Sequence, residues 1–129
     1  MKQGIKEALK ARENAYAPYS NFKVGAAILM KDGKYIYGAN IENASFGLSN
    51  CAERSALFSA LSQGYKKEDI KEFFVIANSK TAISPCGACR QVINELVPKE
   101  VKITLSNLDA TAIKETNSTE LLPFAFEDF

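Results

Sequence analysis

Phe73-Phe74-Val75-Ile76-Ala77, then Ser84-Pro85-Cys86-Gly87-Ala88-Cys89 with Val92, Ile93, Leu96, Val97 and Pro98 behind it, then residues 101–105, is the stretch on which the fold turns. The first run is short and continuously apolar, as expected of a buried strand, and residues 101–105 form a second candidate. Between them the apolar positions fall at helical spacing, with Ser84 and Pro85 at the start and Pro98 at the end. A strand, a capped helix over 86–97 and a second strand make a crossover unit whose two strands run parallel.

Upstream, Asn50-Cys51-Ala52-Glu53 opens a segment rich in Ala, Leu and Phe that runs to Gly64, a residue suited to stopping a helix. Lys-Val-Gly-Ala-Ala-Ile-Leu-Met at 23–30 reads as a strand, and Asp32-Gly33 turns the chain into a second strand at 34–41. Ile5, Ala8, Leu9, Arg12, Ala15 and Tyr16 are spaced by threes and fours, which predicts an amphipathic helix over 3–16 ended by Pro18, with Arg12 snorkelling along its stripe. Helix, hairpin, helix, strand, helix, strand gives an α/β fold with a mixed sheet covered by helices.

A chain of 129 residues, 47% hydrophobic and 24% charged, is the size and composition of one globular domain, here residues 1–129, without repeat, linker or low-complexity segment. Its 16 Lys+Arg and 15 Asp+Glu are interspersed, so the concentrated basic patch that a nucleic acid requires is absent from the sequence. Lys2, Lys6, Glu7, Lys10, Arg12 and Glu13 interrupt any apolar run near the start, which points to a cytoplasmic protein with no membrane partner. With no histidine, Ser-His and Cys-His nucleophile systems and every His-containing zinc site are excluded.

Three cysteines cannot all pair, so a disulfide framework is a poor explanation and metal binding or inert burial remains. Cys86-x-x-Cys89 puts two sulfurs on one helix end, and Cys51 begins another helix, so two positive dipole ends and their free N–H groups can favour thiolates at one point. Three protein ligands leave the fourth tetrahedral position to water, which is the catalytic arrangement of zinc; a closed structural site would need another donor. Glu53 is the nearest base for such a water, but Asn50-x-x-Glu53 also fits a capping box in which its carboxylate would only satisfy the helix start.

Cys51-Ala52-Glu53-Arg54 and Pro85-Cys86-Gly87-Ala88-Cys89-Arg90 together resemble the zinc signature of the cytidine deaminase superfamily in its three-cysteine form. Ala17-Pro18-Tyr19-Ser20-x-Phe22-x-Val24-Gly25-Ala26-Ala27, Asn40-Ile41-Glu42-Asn43 and residues 86–92 extend the likeness to free-nucleoside cytidine deaminases over nearly the whole chain. The resemblance implies a three-layer α-β-α fold with a mixed sheet of about five strands. It implies one zinc ion per chain on Cys51, Cys86 and Cys89, with Glu53 moving protons during deamination of cytidine and deoxycytidine in pyrimidine salvage. Phe22 would stack on the pyrimidine, Asn40 and Glu42 would bond the ribose 3′-hydroxyl, Ala52 would contact substrate, and Arg54 would draw charge from the sulfurs. Without the resemblance, Phe22 reads as a core aromatic and Asn40 and Glu42 as one polar side of a strand.

The family's usual Leu-Leu-Pro-Gly-Ala-Phe tail reads Leu121-Leu122-Pro123-Phe124-Ala125-Phe126 in this chain, and Phe46 stands where tyrosine is frequent. Phe126 matches the aromatic that enters a neighbouring subunit's site, so the resemblance implies a homotetramer with shared sites; ordinary packing within its own subunit is the alternative. A blasticidin-type deaminase is less well matched, because Phe22 and the Asn40–Asn43 run favour plain cytidine. A nucleic-acid editor is disfavoured by the balanced charge, and a structural zinc module with Glu53 as a cap is the non-catalytic alternative.

Overall fold

The structure, a computed structural model, describes residues 1–127, so the last two residues of the expected 1–129 domain lie outside it. Its regular elements are α1 (Gln3–Arg12), β1 (Val24–Met30), β2 (Tyr35–Ala39), α2 (Ala52–Ser62), β3 (Ile70–Ala77), α3 (Gly87–Leu96), β4 (Lys102–Asn107), β5 (Ile113–Thr116) and α4 (Ser118–Leu121). Among the described residues, no helix is long and apolar enough to cross a membrane.

The five strands form one sheet in the order β2-β1-β3-β4-β5. β1 is antiparallel to both β2 and β3, β3 and β4 are parallel around the α3 crossover, and β5 returns antiparallel to β4. The mixed sheet and the parallel pair expected from the 73–105 stretch are therefore present.

Strand periodicity divides the core. On β1 and β3, Ala26, Ile28, Met30, Phe73, Val75 and Ala77 point to the face covered by α2 and α3, where Leu57, Ile93 and Ile103 join them. Ala27, Phe74 and Ile76 point the other way, onto Ile5 and Ala8 of α1. Because β1 and the Phe73–Ala77 part of β3 are buried on both faces, they read as unbroken apolar runs instead of alternating ones.

Three sequence expectations are corrected. The first helix stops at Arg12 and does not reach residue 16, because Tyr16 is drawn into a bridge: its N–H donates to Asn40 O at 2.9 Å and its carbonyl accepts from Glu42 N at 2.8 Å. The fifth strand that the resemblance implies is β5, which, like α4, the residue patterns did not place; β5 is exposed along most of its length and carries one apolar residue, so it has no period-two signal. The strand at 34–41 shortens to Tyr35–Ala39, beyond which Ile41 bridges Tyr16 and Asn50. Arg12 does more than snorkel, since its Nε donates to Lys23 O at 3.1 Å.

One close approach fixes where α2 lies against the sheet. A Cβ added at Gly38 on β2 would lie 2.4 Å from both Ala52 O and Ala56 N, so only glycine lets the first turns of α2 sit this near the sheet.

Candidate active site

Cys51 is the N-cap of α2 and Cys86 the N-cap of α3, both with extended backbone, while Cys89 is buried in the first turn of α3. Two helix N-termini thus meet at the carboxyl end of β3. The three sulfurs lie within 4.8 Å of one another, with Cys51 Sγ and Cys86 Sγ 3.9 Å apart. Tetrahedral zinc at about 2.3 Å from each thiolate requires sulfurs about 3.8 Å apart, so the donor set fits the ion in both chemistry and spacing.

The electrostatics favour thiolate at Cys51. Arg54 Nη2 lies 3.3 Å from Cys51 Sγ, and the backbone N–H of Cys89 approaches Cys86 Sγ at 3.5 Å. A hydrogen bond from the Cys89 thiol, reinforced by the Arg54 guanidinium, draws Cys51 down to about 5. Cys89 is pushed upward in return by the hydrogen bond it donates to Cys51, by burial and by the neighbouring Glu53 carboxylate.

Glu53 is 4% exposed, one residue into α2 beyond Ala52. Burial raises its carboxyl to about 7, and the neighbouring Cys51 adds to the rise. A capping-box role is overturned: the N-cap is Cys51, one residue later than Asn50, so Arg54 occupies the position the box requires and Asn50 instead donates to Ser55 Oγ at 3.2 Å.

A cavity of about 250 Å³ opens onto these groups, lined by Phe22, Asn40, Glu42, Ala52 and Glu53 together with Cys51 and Cys86. Ser20, Val24, Ile83 and Ser84 complete its lining, four residues to which the sequence reading gave no role. Ser20 and Val24 had a signal, since both fall within the Ala17–Ala27 motif. Phe22 is exposed toward this space and is not a core aromatic.

Asn40 and Glu42 are not a merely solvated strand face. Asn40 Oδ1 accepts from Val24 N at 2.9 Å and its Nδ2 donates to Phe22 O at 2.8 Å. Glu42 accepts from Tyr19 N at 3.0 Å, Ser20 N at 3.1 Å and the Ser20 hydroxyl, bonds that hold its carboxyl below the usual carboxylate range. Each residue so anchors the loop bearing Phe22. After these bonds Asn40 retains one amide hydrogen and Glu42 retains acceptor capacity.

Phe126 is not brought to this cavity. Its side chain is 65% exposed, while its carbonyl accepts from Gln91 Nε2 at 3.0 Å. Phe124, which stands where the family's tail has glycine, has φ of 57°, in the left-handed region that glycine occupies readily. The largest cavity among those described, about 480 Å³, lies behind residues 81–84 and includes none of the three cysteines.

Residues 1–105 match the cytidine and deoxycytidylate deaminase zinc-binding region. The chain is 58% identical over 122 residues to a cytidine deaminase of Halalkalibacterium halodurans, covering 95% of this chain and 90% of that one. It is 48% identical to one from Sporosarcina psychrophila, covering 95% and 88%. The crystal structure of cytidine deaminase from Burkholderia pseudomallei superposes with a TM-score of 0.92 at 49% identity, over 98% of this chain and 100% of that one. That from Mycobacterium tuberculosis gives 0.78 at 34% identity, over 95% and 94%.

Proposed function

The chain belongs to the cytidine and deoxycytidylate deaminase family, and on that premise we propose that it deaminates free cytidine and deoxycytidine to uridine and deoxyuridine, releasing ammonia. Residues 1–129 act as one deaminase domain in cytoplasmic pyrimidine salvage. The observation that carries this reading is the convergence of three cysteine sulfurs on a cavity that also contains a buried carboxyl.

Cys51, Cys86 and Cys89 would hold one zinc ion per chain. When bound, the ion would supply Lewis-acid activation of water, lowering its pKa towards about 7. Three thiolates on a divalent ion are net negative, and Arg54 with the two helix N-termini draws that charge off the sulfurs.

Glu53 takes a proton from the attacking water and delivers it to N3 of the cytosine ring as the water oxygen bonds to C4. It then carries the second proton to the exocyclic amine, so the C4–N bond breaks and ammonia leaves. A carboxyl whose burial raises it towards neutrality is suited to act as base and then as acid. Phe22 stacks on the pyrimidine, Ala52 contacts substrate, and the remaining hydrogen of Asn40 and acceptor capacity of Glu42 serve the ribose 3′-hydroxyl.

Cytidine conversion followed by ultraviolet absorbance, with zinc analysis of the same sample, tests the reading. One zinc per chain and stoichiometric uridine and ammonia are expected; zinc without turnover would leave a structural module and overturn it.

Phe126 would complete a neighbouring chain's site in a homotetramer, a reading supported by the family resemblance and by Phe126 not being among the residues that line its own chain's cavity. Mixing zinc-loaded Phe126→Ala with Glu53→Gln subunits should then restore part of the activity. Full activity of Phe126→Ala alone would refute the shared site.

A further inference from the structure

Cys86 is the exposed ligand of the three, and it stands at the end of an irregular stretch, residues 78–86, between β3 and α3. Part of that stretch is a thin wall. Ile83 and Ser84 line the 250 Å³ cavity on one side, and Thr81, Ala82, Ile83 and Ser84 line the 480 Å³ cavity on the other. Packing alone leaves space on both sides, so what holds the wall must be sought in specific bonds.

Those bonds converge on Arg90, in the first turn of α3. Its Nε donates to Pro85 O at 2.9 Å, its Nη2 to the Ser84 hydroxyl, and its Nη1 to Leu121 O at 2.7 Å. Its backbone N–H donates to Cys86 O at 3.0 Å. One half-buried guanidinium therefore ties the residues preceding Cys86 to the last turn of α4. The next residue, Gln91, reaches Phe126 O, so α3 holds the C-terminal segment at two points.

We infer that Arg90 is a positioning residue for the metal site: it fixes the turn that presents Cys86, and the cavity wall beside it, to the carboxyl end of α4. This rests on the reading that the three cysteines hold zinc. Arg90 touches neither the sulfurs nor the cavity's reacting region through any of these bonds; it acts through Pro85 and Ser84. Lysine cannot substitute, because an ammonium is a single point of donation whereas the three acceptors lie around a planar fork.

Zinc affinity, measured by competition with a chromophoric chelator, tests the role in the full chain. Outer-shell support of metal ligands is typically worth 10–100-fold in affinity, so Arg90→Lys should bind zinc about 10–100-fold more weakly. Its metal-free form should melt within a few degrees of the metal-free parent, a pairing that a purely structural contact would not produce. Unchanged zinc affinity would overturn the proposal, as would an equal loss of stability in the metal-free chain. If Arg90→Lys fails to fold, Arg90→Gln is measured in the same way, and failure of both to fold assigns Arg90 to folding and overturns the proposal. A parent chain that binds no zinc would instead bring down the zinc reading itself.

Discussion

On one side of the cavity, Cys51, Ala52 and Glu53 stand at the start of a helix pressed against the sheet at Gly38; on the other, Phe22 stands on a loop held by the side chains of Asn40 and Glu42. The first side derives its geometry from backbone packing. Its polar groups are shifted by burial and by one another, which is what proton transfer needs. The second derives its geometry from side-chain hydrogen bonds to neighbouring backbone, and its carboxylate is held ionised. The two sides of one cavity are thus built by different means, and on the proposed reading, in which the first does the chemistry and the second holds the substrate, damage to each should register in a different kinetic constant.

The sharpest division comes from Glu53→Gln, which keeps shape and removes the titrating group. It should retain zinc yet lose at least the 10²–10⁴-fold typical of general acid–base catalysis, about 3–5 kcal/mol of transition-state stabilisation. Metal analysis and turnover on one sample check this, and near-normal kcat would break the assignment of chemistry to that side. Asn40→Ala tests the opposite side. Loss of two backbone anchors leaves the part-buried Val24 N–H without its partner, a cost of about 1–3 kcal/mol, while the exposed Phe22 O turns to water and frees the loop. A fall of about 10–100-fold in kcat/KM, carried mainly by KM, is expected with zinc content unchanged. A fall confined to kcat would show that the two sides are not separable.

The smallest effect expected lies outside both sides. Phe124 holds a positive φ with a fully exposed ring, so Phe124→Gly removes backbone strain while sacrificing little packing. An increase in thermal stability of about 1 kcal/mol or less is expected, read by melting of the zinc-loaded protein. A loss of stability would show that the ring is buried in the assembled protein.

The sequence was most legible where burial and local pattern agree. Phe73–Ala77 and residues 101–105 announce central strands because both faces are covered, and Asp32-Gly33 announces the hairpin through turn chemistry. The cysteines announce one another because helix starts can be read locally. What was not legible depends on distant partners. The end of α1 is decided by Asn40 and Glu42, many residues away, and the loop-anchoring bonds of those two residues leave no periodic trace. The Asn50-x-x-Glu53 pattern misplaced the helix start by one residue, because Asn50 is engaged with Ile41 and Ser55.

β5 carries Lys114 and Glu115 along a border of the sheet, with Glu115 ion-paired to Lys102 at 3.1 Å and to Lys2 at 3.3 Å. An unpaired strand border is a template on which another chain can grow, and charged side chains discourage that growth. The polarity that hides this strand from pattern reading is also a guard against aggregation, so replacing Lys114 and Glu115 with β-branched apolar residues would improve the strand's legibility and endanger the protein's solubility.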